Sequence, residues 1–327
     1  MTSVLVTGGA GYIGSHVSLA LMESGWNPVI VDNLVTGKRE LVPDGAEFIE
    51  GDISDSALVG GAIKNNNCRA ILHFAGSTVV PESVSDPLKY YGNNTCASRS
   101  LIQTAVSAGI EAMIFSSTAA VYGEPDELPI TETSPTLPIN PYGVSKLMTE
   151  WMLRDVAAAT SLRYAALRYF NVAGADPNGR SGQMTPEATH LIKVACEAAC
   201  GKRDNITIYG DDYDTEDGTG VRDYIHVSDL ADAHVSALEY LMKGGESTVM
   251  NCGYGRGYSV KQVLDMVGAV AGIEMPVLMG PRRPGDSGAV YAASDRIRET
   301  LGWTPKHDDL NKIVASAYHW ERKIGGG

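Results

Sequence analysis

The chain has 327 residues, 44% of them hydrophobic and 20% charged, enough for one large or two modest cores in an ordinary globular protein. Its formal charge of −13 comes without a run of like charge. That excludes nucleic acid as the main partner, which needs clustered Lys and Arg, though one or two local arginines still suffice for a small phosphorylated ligand.

In chain order, Ser3–Thr7 is a short apolar run opening into TGGAGYIGSH, with Gly8, Gly11 and Gly14 leading into a helix-length stretch. Glycines in that pattern permit a tight turn and let a pyrophosphate approach the N–H groups of a helix start. The run Pro28–Asp32 ends on Asp32, about 20 residues on, where a carboxylate binds ribose hydroxyls and repels a 2′-phosphate. The cofactor expected is therefore NAD rather than NADP. Glu47–Ile49 is followed by Asp52 and Ile53, placed to meet an adenine edge. Ala70–Phe74, Ala112–Ser117 and Arg163–Tyr169 continue the series of short apolar strands between helices, which means a parallel sheet covered on both faces.

Beyond Asn171 the pattern breaks. A loop-rich stretch to Gly182 precedes a helix over Glu187–Gly201, and an acidic, glycine-punctuated segment fills Asp211–Gly220. A strand within VRDYIHV then feeds a helix with Ser228 or Asp229 as cap. One more strand spans Val249–Gly253, followed by a helix over Ser259–Val270, the PRRPGD loop and a final helix. The fold class is α/β: a Rossmann-type doubly wound parallel sheet with a smaller, discontinuous C-terminal substrate domain. The expected division is residues 1–171 and 223–253 for NAD, and 172–222 and 254–327 for substrate.

The cysteines Cys68, Cys96, Cys196, Cys200 and Cys252 form no CxxC and no Cys/His ligand spacing, so no metal is expected. An odd count without a framework points to a reducing compartment. With the first strand at Ser3, neither signal peptide nor transmembrane segment is expected, and the location expected is cytoplasmic.

Two features carry chemistry. In INPYGVSKLMTE, residues 139–150, Pro141 suits a helix start, and Tyr142 and Lys146 fall on one face. A free phenol is a poor base at neutral pH, and an ammonium one turn away, like a bound nicotinamide cation, favours its phenolate. In STAAVYG, Thr118 stands at the C-terminal end of a strand, where such sheets bind ligands. An amphipathic helix with a packed tyrosine and a solvated lysine would look the same in isolation.

Together with these features, the blocks DNL, GDI, HFAG, ESVSDPLKYYGNN, LRYFNVAGA, YGDDYDTEDGTGVRDYIHVSDLADAH and PRRPGD resemble the extended short-chain dehydrogenase/reductase family over essentially the whole chain, and within it the sugar-nucleotide 4-epimerases. The resemblance implies reversible C4 epimerisation of UDP-galactose and UDP-glucose through a 4-keto sugar, on tightly held NAD. It implies Tyr142 as acid–base residue, Lys146 as its modulator and ribose ligand, and Thr118 as orienter or proton relay. It further implies cofactor contacts at Gly8, Gly11, Tyr12, Ile13, Gly14, Asp32, Asn33, Asp52, Ile53, Phe74, Ala75, Gly76, Asn93 and Tyr169. On the substrate side it implies Arg222 and Arg283 for the diphosphate, Asp286 for the uridine ribose, and Thr207 and Tyr209 for the uracil. Asn171, His190, Leu191 and Val290 complete the implied substrate set. A homodimer built on helices near Pro87–Ala108 and Tyr142–Ala159 is implied as well.

Family members that eliminate water carry Asp-Glu after the threonine, and decarboxylating members carry a glutamate at the second position. Here these are Ala119 and Ala120, which transfer no proton, so the ketose can only take its hydride back. A 4-epimerase of another UDP-sugar, acetamido, pentose or uronic, would use the same residues; Val290 stands where, by the resemblance, a tyrosine excludes acetamido sugars and smaller residues admit them, and valine is intermediate in size. A net oxidoreductase would exchange its cofactor, and a non-catalytic NAD-binding regulator would have no use for Tyr142 and Lys146. Against the family pattern, Ser77-Thr78 replaces a cofactor-contacting lysine, Pro81 a glycine, Thr36-Gly37 more polar residues, and Lys193 a proline.

Overall fold

The computed structural model describes residues 1–185, 188–283 and 286–326. In chain order the first half holds β1 (Ser3–Thr7), α1 (Tyr12–Glu23), β2 (Asn27–Asp32), β3 (Glu47–Glu50), α2 (Ser56–Asn66), β4 (Ala70–His73), α3 (Val80–Ser85) and α4 (Pro87–Tyr90). A π-helical turn over Tyr91–Cys96 leads to α5 (Ala97–Ser107), β5 (Ala112–Thr118), α6 (Pro141–Ala159), β6 (Arg163–Tyr169) and β7 (Asn171–Ala173). The remainder holds α7 (Leu191–Ala199), β8 (Ile206–Tyr209), β9 (Val221–Arg222), β10 (Tyr224–His226), α8 (Val227–Met242) and β11 (Thr248–Cys252). It closes with β12 (Tyr258–Ser259), α9 (Val260–Ala271), β13 (Val277–Gly280), β14 (Ala289–Val290), α10 (Asp295–Leu301) and α11 (Leu310–Ile324).

Seven strands form one sheet in the order β11-β6-β5-β4-β1-β2-β3, all parallel. Alternate residues point to opposite faces of a strand, and both faces here are apolar. Val4, Val6, Ile30, Leu72 and Ile114 join Val17 and Leu21 of α1 and Leu230 and Leu238 of α8. Leu5, Val29, Val31, Ile71 and Met113 join Val59 of α2, Leu101 of α5 and Leu153 of α6. That two-sided burial is why the strands read as continuous apolar runs. Strand β1 pairs with both β2 and β4, so the order reverses there and a crevice opens beyond their C-terminal ends.

Beside this sheet stand the pair β13-β8 and the three-stranded β12-β9-β14, with α7, α9 and α11 packed on one another. The strand expected in VRDYIHV is in fact two: β9 belongs to the small sheet, while β10 pairs with β7. Asp223 sits at the break, fully buried, its carboxylate accepting the N–H groups of Tyr254 at 3.1 Å, Gly255 at 3.2 Å and Ala292 at 3.4 Å. Those bonds join two loops and a strand end that no regular ladder connects.

Two helix starts differ from expectation. The cap of α8 is His226, whose Nδ1 accepts the Ser228 N–H at 3.1 Å. Asp229 is buried and instead accepts from Tyr254 Oη and the N–H groups of Lys306 and His307. Helix α7 begins at Leu191 with His190 as N-cap, not at Glu187, which lies outside the described residues. Helix α9 starts as its sequence promises, with Ser259 and Gln262 in a reciprocal capping box.

Burial pushes the Asp223 carboxyl up to about 6, against the pull of its N–H partners. An acid whose folded-state pKa exceeds its unfolded value favours the fold most below the unfolded pKa, and loses that contribution as pH rises through the folded one. The melting temperature of the wild type relative to Asp223→Asn should therefore fall between about pH 4 and about pH 6. A difference that stays flat over that window would show that the carboxyl does not titrate with folding.

Candidate active site

The glycine turn is shaped by contact distances. Gly8 has φ +72°, and a Cβ there would lie 2.6 Å from the Ala75 nitrogen; a Cβ on Gly14 would lie 2.2 Å from the Gly8 carbonyl oxygen. No larger residue fits either place. Gly11 is the N-cap of α1 and no side chain caps the helix, so the first N–H groups, those of Tyr12 and Ile13 among them, are left for a ligand. Across the crevice, Phe74, Ala75 and Gly76 follow β4.

Asp32 ends β2 almost buried. Its oxygens accept the Ala10 N–H at 3.0 Å and the Leu34 N–H at 2.8 Å, and burial raises its pKa. Gly37 comes so close that a Cβ would sit 2.7 Å from Asp32 Oδ1, which gives the departure at Thr36-Gly37 a steric reason. Asn33 donates to Asp52 at 3.0 Å, while Ser54 holds the Asp52 carboxyl below the usual range. Ile53 is buried beside them.

The reactive groups meet where α6 crosses the end of β5. Asn140 caps α6 by accepting the Gly143 N–H at 2.9 Å, with Pro141 in the first turn. Tyr142 and Lys146 are both buried. Lys146 Nζ donates to the Ser116 carbonyl at 2.9 Å and lies 5.0 Å from the Phe115 ring centre; burial lowers its pKa to about 8. Thr118 Oγ1 accepts the Ala120 N–H at 3.1 Å. Burial raises the Tyr142 pKa, and the neighbouring Thr118 hydroxyl draws it partly back. The expected direct help from Lys146 is thus not what the protein alone supplies: the ammonium is turned to a carbonyl, and Thr118 is the group favouring the phenolate.

Around this centre, Tyr169 Oη pairs with Ser116 Oγ. His73 lies between Thr7 Oγ1 at 2.7 Å and Ser98 Oγ at 2.8 Å. Burial first, then the nearby Lys146, push its pKa down to about 3, so it stays neutral. Ala119 and Ala120 open a 3-10 turn, and a Cβ on Gly143 would stand 2.5 Å from the Ala120 oxygen. The alanines are inert, and the backbone at Ala120 lies close enough to α6 to require glycine at residue 143.

Asn93 donates to Ser77 Oγ at 2.9 Å, but the neighbour that sequence reasoning passed over is better placed. Asn94 accepts the Ser77 N–H at 2.7 Å and donates to the Ser77 carbonyl and to Ser145 Oγ, both at 3.0 Å. It locks the Gly76-Ser77 loop onto α6 beside Lys146. The π-helical turn that presents it is a feature common at functional sites, and the Asn93-Asn94 doublet alone does not reveal which residue turns inward. Pro81 occupies the first turn of α3, a position that tolerates proline.

The substrate-side residues fall into three groups. Asn171, His190 and Leu191 line one cavity with Gln183, Lys193 and Tyr224, and Asn171 also donates through N–H and Nδ2 to the Asp223 carbonyl. Arg222 and Val290 are register partners on β9 and β14; Val290 packs against Val121, Tyr122, Ile130 and Leu147. Arg283 donates to Asp286 at 2.7 Å and lies 4.9 Å from the Tyr209 ring centre, with Thr207 two residues back on β8. Within the PRRPGD loop, Pro284 and Gly285 lie outside the described residues. Lys193 is buried and paired with Glu321 of α11 and, at 3.3 Å, with Glu197. Among the described residues no group of three His, Cys, Asp or Glu is arranged to hold a metal.

Residues 4–253 match the family described as the NAD dependent epimerase/dehydratase family. A UDP-glucose 4-epimerase of Azospirillum brasilense is 58% identical over 321 residues, 98% of this chain and 92% of the relative. The crystal structure of UDP-glucose 4-epimerase from Brucella ovis in complex with NAD superposes with TM-score 0.96 at 45% identity, covering 98% of this chain and 99% of that one. The Bifidobacterium longum UDP-glucose 4-epimerase in complex with NAD+ and UDP gives 0.93 at 40% identity, with 100% of both chains covered.

If Asp32 reads the adenosine ribose, Asp32→Asn should weaken NAD roughly 10-fold, the scale of a lost charge-assisted hydrogen bond, and narrow the preference for NAD over NADP. Calorimetric titration of nucleotide-stripped protein with each dinucleotide checks both.

Proposed function

The chain belongs to the NAD dependent epimerase/dehydratase family, and from that premise we infer that it interconverts UDP-galactose and UDP-glucose at C4. The observation that carries this reading is a buried Tyr142 phenol, one helical turn from a buried Lys146 held on the Ser116 carbonyl, at a strand end where Thr118 is followed by two residues, Ala119 and Ala120, that offer no acid or base.

The cradle fits a dinucleotide, since side chains on Gly8 or Gly14 would fill it and the start of α1 is uncapped. Bound NAD supplies a reversible hydride acceptor. The chain's own part begins with Tyr142 taking the proton of the sugar 4-hydroxyl, the Thr118 hydroxyl holding the phenolate oxygen and the sugar oxygen in line. Lys146 keeps a positive charge beside the reacting centre. Once the 4-keto sugar forms, no side chain at residues 119 and 120 can move a further proton, so elimination has no base. The ketose turns over, Tyr142 returns the proton, and C4 is inverted. Arg222 and Arg283 clasp the diphosphate, Asp286 the ribose, and Thr207 and Tyr209 the uracil, while Asn171, His190, Leu191 and Val290 bound the sugar.

In this reading residues 1–171 and 223–253 hold NAD, and 172–222 and 254–327 hold the UDP-sugar, the break at Asp223 marking one crossing. Five free cysteines suit a cytoplasmic setting. A homodimer is supported by apolar side chains left in water on adjacent helices: Leu88 is 79% exposed, Val84 65% and Trp151 46%.

Proton NMR of the purified protein with UDP-galactose, without added NAD, should show the anomeric signals relaxing to a mixture rich in UDP-glucose. Tyr142→Phe should slow this by about 1000-fold, within the range for loss of an acid–base group. Absence of turnover even with NAD supplied overturns the reading. Separately, Leu88→Glu combined with Trp151→Glu should halve the mass seen by sedimentation; an unchanged mass would remove these helices from the interface.

A further inference from the structure

Helix α6 carries Tyr142, Lys146 and Glu150 at intervals of four, one face of a helix. Three consecutive residues of β5 receive them. Thr118 is the residue whose hydroxyl lowers the pKa of the Tyr142 phenol, the Ser116 carbonyl accepts from Lys146, and Ser117 Oγ donates to Glu150. The third contact has no part in the chemistry described above, yet it leads to a carboxylate bonded at both oxygens.

Glu150 is 3% exposed and Arg168, on neighbouring β6, 6%. The Arg168 fork donates Nε to Glu150 Oε1 at 2.9 Å and Nη2 to Oε2. Its third nitrogen donates to Tyr122 Oη at 3.0 Å, and Tyr122 Oη donates to Asn251 Oδ1 at 2.6 Å. Every oxygen and all three nitrogens of the pair therefore have a partner. Buried ion pairs seldom stabilise a fold more than apolar residues of the same volume. What the fork adds is direction: a planar, two-point contact fixes rotation and reach, where an apolar contact fixes neither. Position matters as well, because Glu150 lies one turn from Lys146 and would be a natural counter-ion for it. Bound by Arg168, it leaves Lys146 to the Ser116 carbonyl.

We propose that Glu150 and Arg168 are positioning residues for the acid–base centre: they set the seat of α6 on β5, so that Tyr142 meets Thr118, and they keep the Glu150 carboxylate away from Lys146. The proposal rests on the reading of Tyr142 as the acid–base group.

Two substitutions that conserve charge test it, so that a change in titration reports geometry. Arg168→Lys keeps a cation but loses the fork, and Ser117→Ala removes one donor to Glu150. In UDP-galactose turnover, kcat should fall roughly 10-fold or more for Arg168→Lys and about 3-fold for Ser117→Ala, the scale of a small misplacement of a reacting group, with KM little changed. The Tyr142 phenol, followed as the absorbance difference between each protein and its Tyr142→Phe counterpart, should ionise at higher pH in both variants than in the wild type. That second readout needs no substrate, so it stands even if UDP-galactose proves not to be turned over, a result that would fall on the functional reading alone. Variants that lose only melting temperature, or change only KM, with the phenol titration where the wild type has it, overturn the proposal. If Arg168→Lys does not fold, Ser117→Ala decides it by the same two measurements.

Discussion

A lysine ammonium sits in this molecule with almost no access to water and no carboxylate bonded to it. Taking a charge out of water is costly, and a protein normally meets that cost by pairing. Here Lys146 has a backbone carbonyl and the face of Phe115, and its lowered pKa records the shortfall. The surroundings follow from this choice. His73 is kept neutral first by its own burial and then by repulsion from the cation beside it. Glu150, one turn along the same helix, is engaged by Arg168 and Ser117. Asn94 fastens the nearest loop without adding charge. A cation left unpaired by protein can act on whatever negative charge develops at the ligand, which is where catalysis needs it.

The crossing between the two sheets shows a second economy. The chain passes there around Asn171, Asp223 and Tyr254, and one buried carboxylate collects the N–H groups that the crossing leaves without ladder partners. The same residue's carbonyl accepts twice from Asn171. Arg222 and Asn171, proposed for the diphosphate and the sugar, are thus tied through a single residue.

Much of this was legible beforehand because the determinants are local. All seven strands of the large sheet follow from short apolar runs between helix-length intervals, with boundaries shifted by a residue at most. The glycine turn and Asp32 were readable because their spacing is imposed by one strand, one turn and one helix. What escaped depends on distant partners. VRDYIHV has the pattern of one strand, and only the loop at Tyr254 and the strand end at Ala292 decide that it breaks at Asp223. Asp229 is a good cap by type, but Lys306 and His307 claim its carboxylate and leave the capping to His226. Asn94 was hidden by a π-helical turn that local propensity does not encode, and the orientation of Lys146 by a carbonyl 30 residues away in sequence. Tyr142 and Thr118 were readable as residues, whereas the burial that raises the phenol pKa and the turn of Lys146 toward the Ser116 carbonyl belong to tertiary structure.

The position of β11 has a consequence for how the chain is made. The large sheet ends on a strand drawn from Thr248–Cys252, long after β6, its neighbour, has been synthesised. While the chain emerges from the ribosome, β6 is an open edge with unpaired N–H and carbonyl groups, the kind of surface that recruits foreign strands. The nascent sheet therefore spends the translation of residues 170–247 incomplete. The β6 edge closes only once residues 248–252 have been made, however early the other six strands are in place.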